Sequence, residues 1–287
     1  MTARPQGITG VCPVISAVFH PDGSLDDDGF RQLTRHLVHT GIDSLMIFGV
    51  ATENQKLRDS ERDIMLEIAI EETRAAGVTV IATVADHSRE IAIERTARWE
   101  SMGADMINVL PSYFLNPPHD QVHRHLQGIL GATSLPVIIQ SLPLGGNELP
   151  LRDIVGLARD FPHLVQIKVE NVPSAEAVRE VREISDGRVT PLVGWGGLEW
   201  LEATAAGAVG VQPGCSVIEL YLAAQQRLDS GDREGFEAAF EPLRAPLHQW
   251  MRHVEVLIAV EKIILQRRGI IASSYCRGPS HDLTEED

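Results

Sequence analysis

Eight short apolar runs recur along this chain, at residues 11–18, 44–48, 78–84, 106–110, 136–141, 165–171, 190–194 and 208–212. Their starts lie roughly 28 residues apart, close to the length of one strand–helix unit. The runs are almost continuously apolar instead of alternating, as parallel strands covered on both faces require. Helical patterns fill the intervals, near 25–40, 60–76, 88–103, 120–131, 151–161, 175–184 and 198–206. A chain that repeats strand then helix eight times can close its sheet on itself. The expected fold class is therefore α/β, a (β/α)8 TIM barrel.

Local signals agree with that reading. Asp26, Asp27 and Asp28 suit a helix N-terminus, Gly41 a helix stop, and Ser60 with Asp63 three residues on resembles a capping box. An open doubly wound sheet is the structural alternative. Eight regular units, and no Gly-x-Gly-x-x-Gly after the first strand, weigh against a dinucleotide-binding version. After Gln212 the strands cease and helices follow near 217–229, 234–253 and 254–268. The expected organisation is a barrel over 1–215 and a C-terminal helical appendage over 216–287.

Formal net charge is −15, with no basic stripe to offset it, so nucleic acid and anionic membrane surfaces are poor partners. No run approaches the eighteen apolar residues of a membrane span, and the first seven residues lack the apolar core of a signal peptide. The three cysteines, Cys12, Cys215 and Cys276, are odd in number and widely spaced. A reducing, cytoplasmic setting fits these features best.

In such a barrel the chemistry lies at the C-terminal ends of the strands. There the sequence offers Ser16, the loop 49–53, Val84, Pro111 to Tyr113, Gln140 and Ser141, Lys168 with Glu170, the segment 194–197, and 212–214. Lys168 stands out. Only three lysines occur, Lys56, Lys168 and Lys262, and the other 22 basic residues are arginine. An amine buried in a low-dielectric interior can serve as a carbonyl nucleophile, whereas a guanidinium stays protonated. The competing reading is an ion pair with Glu170, which shares its strand face.

Three motifs fall in order on three strands: Gly49-Val50-Ala51-Thr52-Glu53 at the second, Tyr113 after Pro111 at the fourth, and Ile167-Lys168-Val169-Glu170 at the sixth. Together they resemble the dihydrodipicolinate synthase and N-acetylneuraminate lyase family, over nearly the whole chain. The resemblance implies a (β/α)8 barrel with C-terminal helices and a Schiff base between Lys168 and the ketone of a small 2-oxo acid such as pyruvate. It implies no bound cofactor and a dimer or tetramer in which the counterpart of Tyr113 reaches a neighbouring site. Ala51 and Thr52 would hold the substrate carboxylate, although the family's usual hydroxyl residues are here Val50 and Ala51. Thr52 and Glu53 could equally just shape the turn.

The fifth strand departs further, because Gln140 stands where the family has a tyrosine that exchanges a proton with the substrate. An amide cannot take a proton from a hydroxyl, the step that retro-aldol cleavage needs. Phe19-His20-Pro21-Asp22-Gly23, Gln140-Ser141 before Pro143, Trp195 with Gly197, and Arg277-Gly278-Pro279 resemble instead the 2-keto-3-deoxy-pentonate (L-arabonate) dehydratases of the same superfamily. The expected function is a Schiff-base lyase that dehydrates a 2-keto-3-deoxy sugar acid. The alternatives are a retro-aldol or aldol lyase working on pyruvate, and a non-catalytic barrel that binds a 2-oxo acid.

The candidate catalytic residues are thus Lys168 and Tyr113, the latter as proton donor or aromatic lid. The candidate substrate-binding residues are Ala51, Thr52, Gln140, Ser141, Trp195 and Gly196, with Trp195 as a wall for the sugar-acid chain or as core. No metal site is expected: His119 and His123 lack a partnering carboxylate motif, and Cys215 has no base.

Overall fold

A computed structural model describes residues 6–112, 115–143 and 148–284. The strands are β1 (Gly10–Val11), β2 (Ser44–Ile47), β3 (Thr79–Val84), β4 (Met106–Val109), β5 (Val137–Ser141), β6 (Leu164–Val169), β7 (Thr190–Val193) and β8 (Gly210–Val211). They form one eight-stranded sheet in the order β1-β8-β7-β6-β5-β4-β3-β2, in which sequence neighbours are spatial neighbours. With helices alternating between the strands, this is the (β/α)8 barrel that the apolar period implies.

The chain divides into two units, Met1–Gly10 with Ile81–Gln212, and Val11–Val80 with Pro213–Asp287. In the first, β3 to β8 pair in parallel, and every residue of β4, β5 and β6 is buried. Its helices are α3 (Arg89–Met102), α4 (His119–Leu130), α5 (Leu151–Gly156), α6 (Ser174–Ser185) and α7 (Trp200–Ala206). A register shift at Val137/Ile138 sets Gln140 opposite Lys168 and Ser141 opposite Val169. That shift fixes which side chains of β5 and β6 share a face.

The second unit holds α1 (Asp27–His39), α2 (Asp59–Arg74), α8 (Ile218–Asp229), α9 (Arg233–Trp250) and α10 (Val254–Arg267). α8, α9 and α10 are the three helices expected to follow the last strand. Asp26 caps α1 by accepting from the Gly29 amide at 2.8 Å. At α2 the sequence signal is shifted. Ser60 lies inside the helix, the cap is Arg58, and it is Glu61 that accepts from the Arg58 amide at 2.8 Å. The first strand is also shorter than its apolar run, because Pro13 has no N–H to give the ladder. Beyond it, Val14 alone bridges Met46 and Gly214, while the Pro13 carbonyl accepts from the Met46 amide at 2.9 Å. No helix among the described residues is long and apolar enough to cross a membrane.

Candidate active site

Strand geometry places Lys168 and Glu170, two residues apart, on the same face. Both are nearly enclosed, at 6% and 7% exposed, and the Lys168 Nζ lies 3.3 Å from Glu170 Oε1. Two buried charges are tolerated only when each has partners, and Glu170 has several. Gln140 Nε2 donates to Glu170 Oε2 at 2.5 Å. The Trp195 amide donates to Oε1 at 3.5 Å, and the Trp195 indole N–H donates to the Glu170 backbone carbonyl. Trp195 has a left-handed φ of 50°, which brings both of its donors to Glu170.

Gly194 explains how the carboxylate fits. A Cβ at that position would overlap the Glu170 carboxylate itself, so only glycine leaves room for it. Behind Gln140, the wholly buried Asn108 donates to Gln140 Oε1 at 3.4 Å and to Thr83 Oγ1 at 3.2 Å. A polar row therefore runs Thr83, Asn108, Gln140, Glu170, Lys168 across β3 to β6. Asn108 and Thr83 did not stand out in the sequence. The available signal was a lone polar residue, Asn108, in the run 106–110, and one of two threonines in the run 78–84.

Other candidates are placed differently. Ser141 alternates with Gln140 along β5 and donates to Asn171 Oδ1 at 2.9 Å, away from the lysine–glutamate pair. Gly196, with φ 58°, follows Trp195 in the Trp195–Gly197 turn. Tyr113 lies outside the described residues. Ala51 and Thr52 belong to the second unit, in a 3-10 turn over Val50–Thr52. The Thr52 hydroxyl donates to the Ile15 carbonyl at 2.6 Å, so its proton ties the turn to the segment that follows β1.

The cysteines offer no nucleophile of comparable standing. Burial pushes the Cys215 thiol up to about 12, and its sulfur meets Ser16 Oγ at 3.6 Å. Among the described residues no group of three or more His, Cys, Asp or Glu side chains could hold a metal ion. What the first unit does offer is a buried amine beside a carboxylate that two donors hold in place, with a third donor on the Glu170 backbone carbonyl. Such a carboxylate can take the proton that an ammonium must lose before it attacks a carbonyl.

Fold and site define a class, the (β/α)8 barrels with a lysine at the end of the sixth strand. The chain belongs to the dihydrodipicolinate synthetase family, whose profile matches residues 7–287. It is 24% identical over 278 residues to the L-2-keto-3-deoxyarabonate dehydratase of Azospirillum brasilense, spanning 96% of this chain and 89% of that protein. It is 30% identical over 172 residues to the 4-hydroxy-tetrahydrodipicolinate synthase of Desulforamulus reducens, covering 59% of this chain and 55% of the other. The solved structure of 4-hydroxy-tetrahydrodipicolinate synthase from Methylacidiphilum fumariolicum SolV matches with a TM-score of 0.87 at 24% identity, over 98% of this chain and 92% of that one. That likeness establishes the shared fold, and membership makes the chain a protein of a lyase family.

Proposed function

We propose that this protein is a Schiff-base-forming lyase that dehydrates a 2-keto-3-deoxy sugar acid. The observation that carries the reading is the Lys168–Glu170 pair, with an amide, Gln140, on the second carboxylate oxygen. In the first step Lys168 passes a proton to Glu170 and attacks the C2 ketone; the carbinolamine oxygen takes that proton back and leaves as water, giving the iminium and an ionised Glu170. The iminium acidifies C3. Glu170 then takes a C3 proton and the electron pair forms the enamine. Collapse of the enamine expels the C4 hydroxyl, which leaves as water once protonated, with Tyr113 as the proposed donor. Hydrolysis of the resulting unsaturated iminium returns Lys168, and the balance is one substrate to one dehydrated oxo acid and one water.

The amide at position 140 favours this route over carbon–carbon cleavage. Retro-aldol chemistry must remove the proton of the C4 hydroxyl, and Gln140 can only donate or accept a hydrogen bond. The dehydratase name of the Azospirillum brasilense relative supports the same choice. Ala51 and Thr52 are assigned to the substrate carboxylate, and Trp195, Gly196, Gln140 and Ser141 to the rest of the substrate, on the strength of the motif order. A cytoplasmic homo-oligomer working without a bound cofactor completes the proposal.

Two experiments test it. Incubation with 2-keto-3-deoxypentonate should give the dehydrated oxo acid, and pyruvate plus an aldehyde in its place would overturn the dehydratase assignment. Borohydride reduction with pyruvate present should add a stable adduct at Lys168. Absence of any adduct with every 2-oxo acid offered would remove the imine mechanism.

A further inference from the structure

The second unit buries an ionic network that the reaction above does not use. Glu53 takes left-handed backbone angles, φ 57° and ψ 37°, where it closes the Val50–Thr52 turn, and it is 1% exposed. Its carboxylate pairs with Lys262 of α10, which is wholly buried, and lies 3.2 Å from Lys56. Lys56 in turn meets Glu255 at 2.6 Å. Lys262 also donates to the Tyr275 carbonyl at 3.0 Å and sits 4.4 Å from the centre of the Phe19 ring. Burial pulls the Lys262 pKa down, and Glu53 opposes that fall.

Arg277 lies over the same Phe19 ring, at 4.2 Å. Its guanidinium donates to both oxygens of Glu61 at 2.6 Å, to the Gly23 carbonyl at 2.9 Å and to the Lys56 carbonyl at 2.8 Å. The chain beyond α10 is thereby tied to the segment that leads out of the 50–53 turn, at Lys56 and Glu61, and to the loop before α1, at Gly23. A buried ion pair is a weak source of stability, since desolvation consumes much of the attraction, but it demands one geometry. A bidentate guanidinium–carboxylate contact is equally directional. Glu53 is a non-glycine residue in the left-handed region, a conformation that persists only where its surroundings over-determine it.

We propose that Glu53, Lys262 and Arg277 are positioning residues that lock the Val50–Thr52 turn in the shape that receives the acid group of a 2-oxo acid. The C-terminal segment then sets affinity for that group. This rests on the assignment of Ala51 and Thr52 to the substrate carboxylate made above.

The test uses the full chain and its Arg277→Ala variant. Amide hydrogen exchange over residues 49–57, without substrate, reads the lock directly. Borohydride trapping with pyruvate, and with hydroxyacetone as a ketone lacking the acid group, reads its consequence. Arg277→Ala is expected to speed exchange in 49–57 by about tenfold or more while exchange in α4 keeps the wild-type rate. It is also expected to raise the half-saturating pyruvate concentration about tenfold relative to that of hydroxyacetone. Wild-type exchange in 49–57 overturns the proposal whatever happens at Lys168. Faster exchange with equal losses for both ketones overturns the link to the acid group. A wild-type chain that exchanges as expected but traps neither ketone instead removes the Schiff-base reading, and the carboxylate role with it. Should Arg277→Ala not fold, Arg277→Lys keeps the charge without the two-pronged contact, and the Glu53→Gln/Lys262→Met pair removes both buried charges together; each is judged by the same outcomes.

Discussion

Gln140 and Glu170 are joined across neighbouring strands by a 2.5 Å hydrogen bond, and the carboxylate oxygen that Gln140 leaves free lies 3.3 Å from the Lys168 Nζ. The bond fixes the carboxylate with one oxygen turned to the amine. It also gives the fifth-strand position a task that a phenol performs differently, since a tyrosine hydroxyl can exchange its proton and an amide cannot.

Replacing the amine while keeping its charge separates chemistry from packing. Lys168→Arg is expected to remain folded beside Glu170 and to lower turnover by more than about 10³-fold, with no borohydride adduct. Intact-mass measurement after reduction checks the adduct, and thermal melting checks the fold.

Glu170→Gln removes the proposed proton acceptor but preserves an oxygen and a donor of similar shape. Dehydration should fall by about 10²–10⁴-fold, the usual worth of a positioned acid–base group. End-point pyruvate trapping, which needs only one slow imine-forming event, should survive better than turnover. Equal loss of both would assign Glu170 to holding Lys168 in place.

Gln140→Leu leaves the Asn108 amide and one Glu170 oxygen without this partner in a buried row. The expected loss is about 1–3 kcal/mol of stability, read from urea unfolding. An unchanged midpoint would mean that water replaces the lost contacts.

Acid stability should depend on Glu61. Its carboxyl, 4.5 when unperturbed, is lowered in the folded chain first by the Arg277 hydrogen bonds and also by the Arg58 amide, against the opposing effect of burial. A folded value below the unfolded one means stability that is present above pH 4.5 and lost as pH falls through the lower folded value. Glu61→Gln is therefore expected to be less stable at neutral pH, by about 1–3 kcal/mol. Its stability should also decline less steeply below pH 4.5. Urea midpoints measured between neutrality and acid give both limbs.

The strands were readable because parallel strands buried on both faces carry nearly continuous apolar runs. The first strand was over-read for one physical reason, the missing N–H of Pro13. The capping signal at Ser60 was displaced because Glu61, not Asp63, reaches back to the chain. Lys168 was readable from lysine scarcity, yet the other two lysines are as selectively used: Lys56 and Lys262 both meet Glu53. That pairing joins α10 to the turn after the second strand, and no local pattern announces so distant a contact. Glu170 was visible as the neighbour of Lys168, whereas its bonds from Gln140 and Trp195 depend on the register at Val137/Ile138 and on the turn at Trp195.

The absence of a side chain at Gly194 also limits how this lineage can drift. Because any Cβ there would occupy the space of the Glu170 carboxylate, the two positions are epistatic. Gly194→Ala alone should abolish function, but in combination with Glu170→Asp, one methylene shorter, part of the fold's stability should return without the reach to Lys168. Sequences that explore a larger residue at 194 must therefore first give up the glutamate, and a saturation library at both sites would show that order as a ridge instead of a plateau.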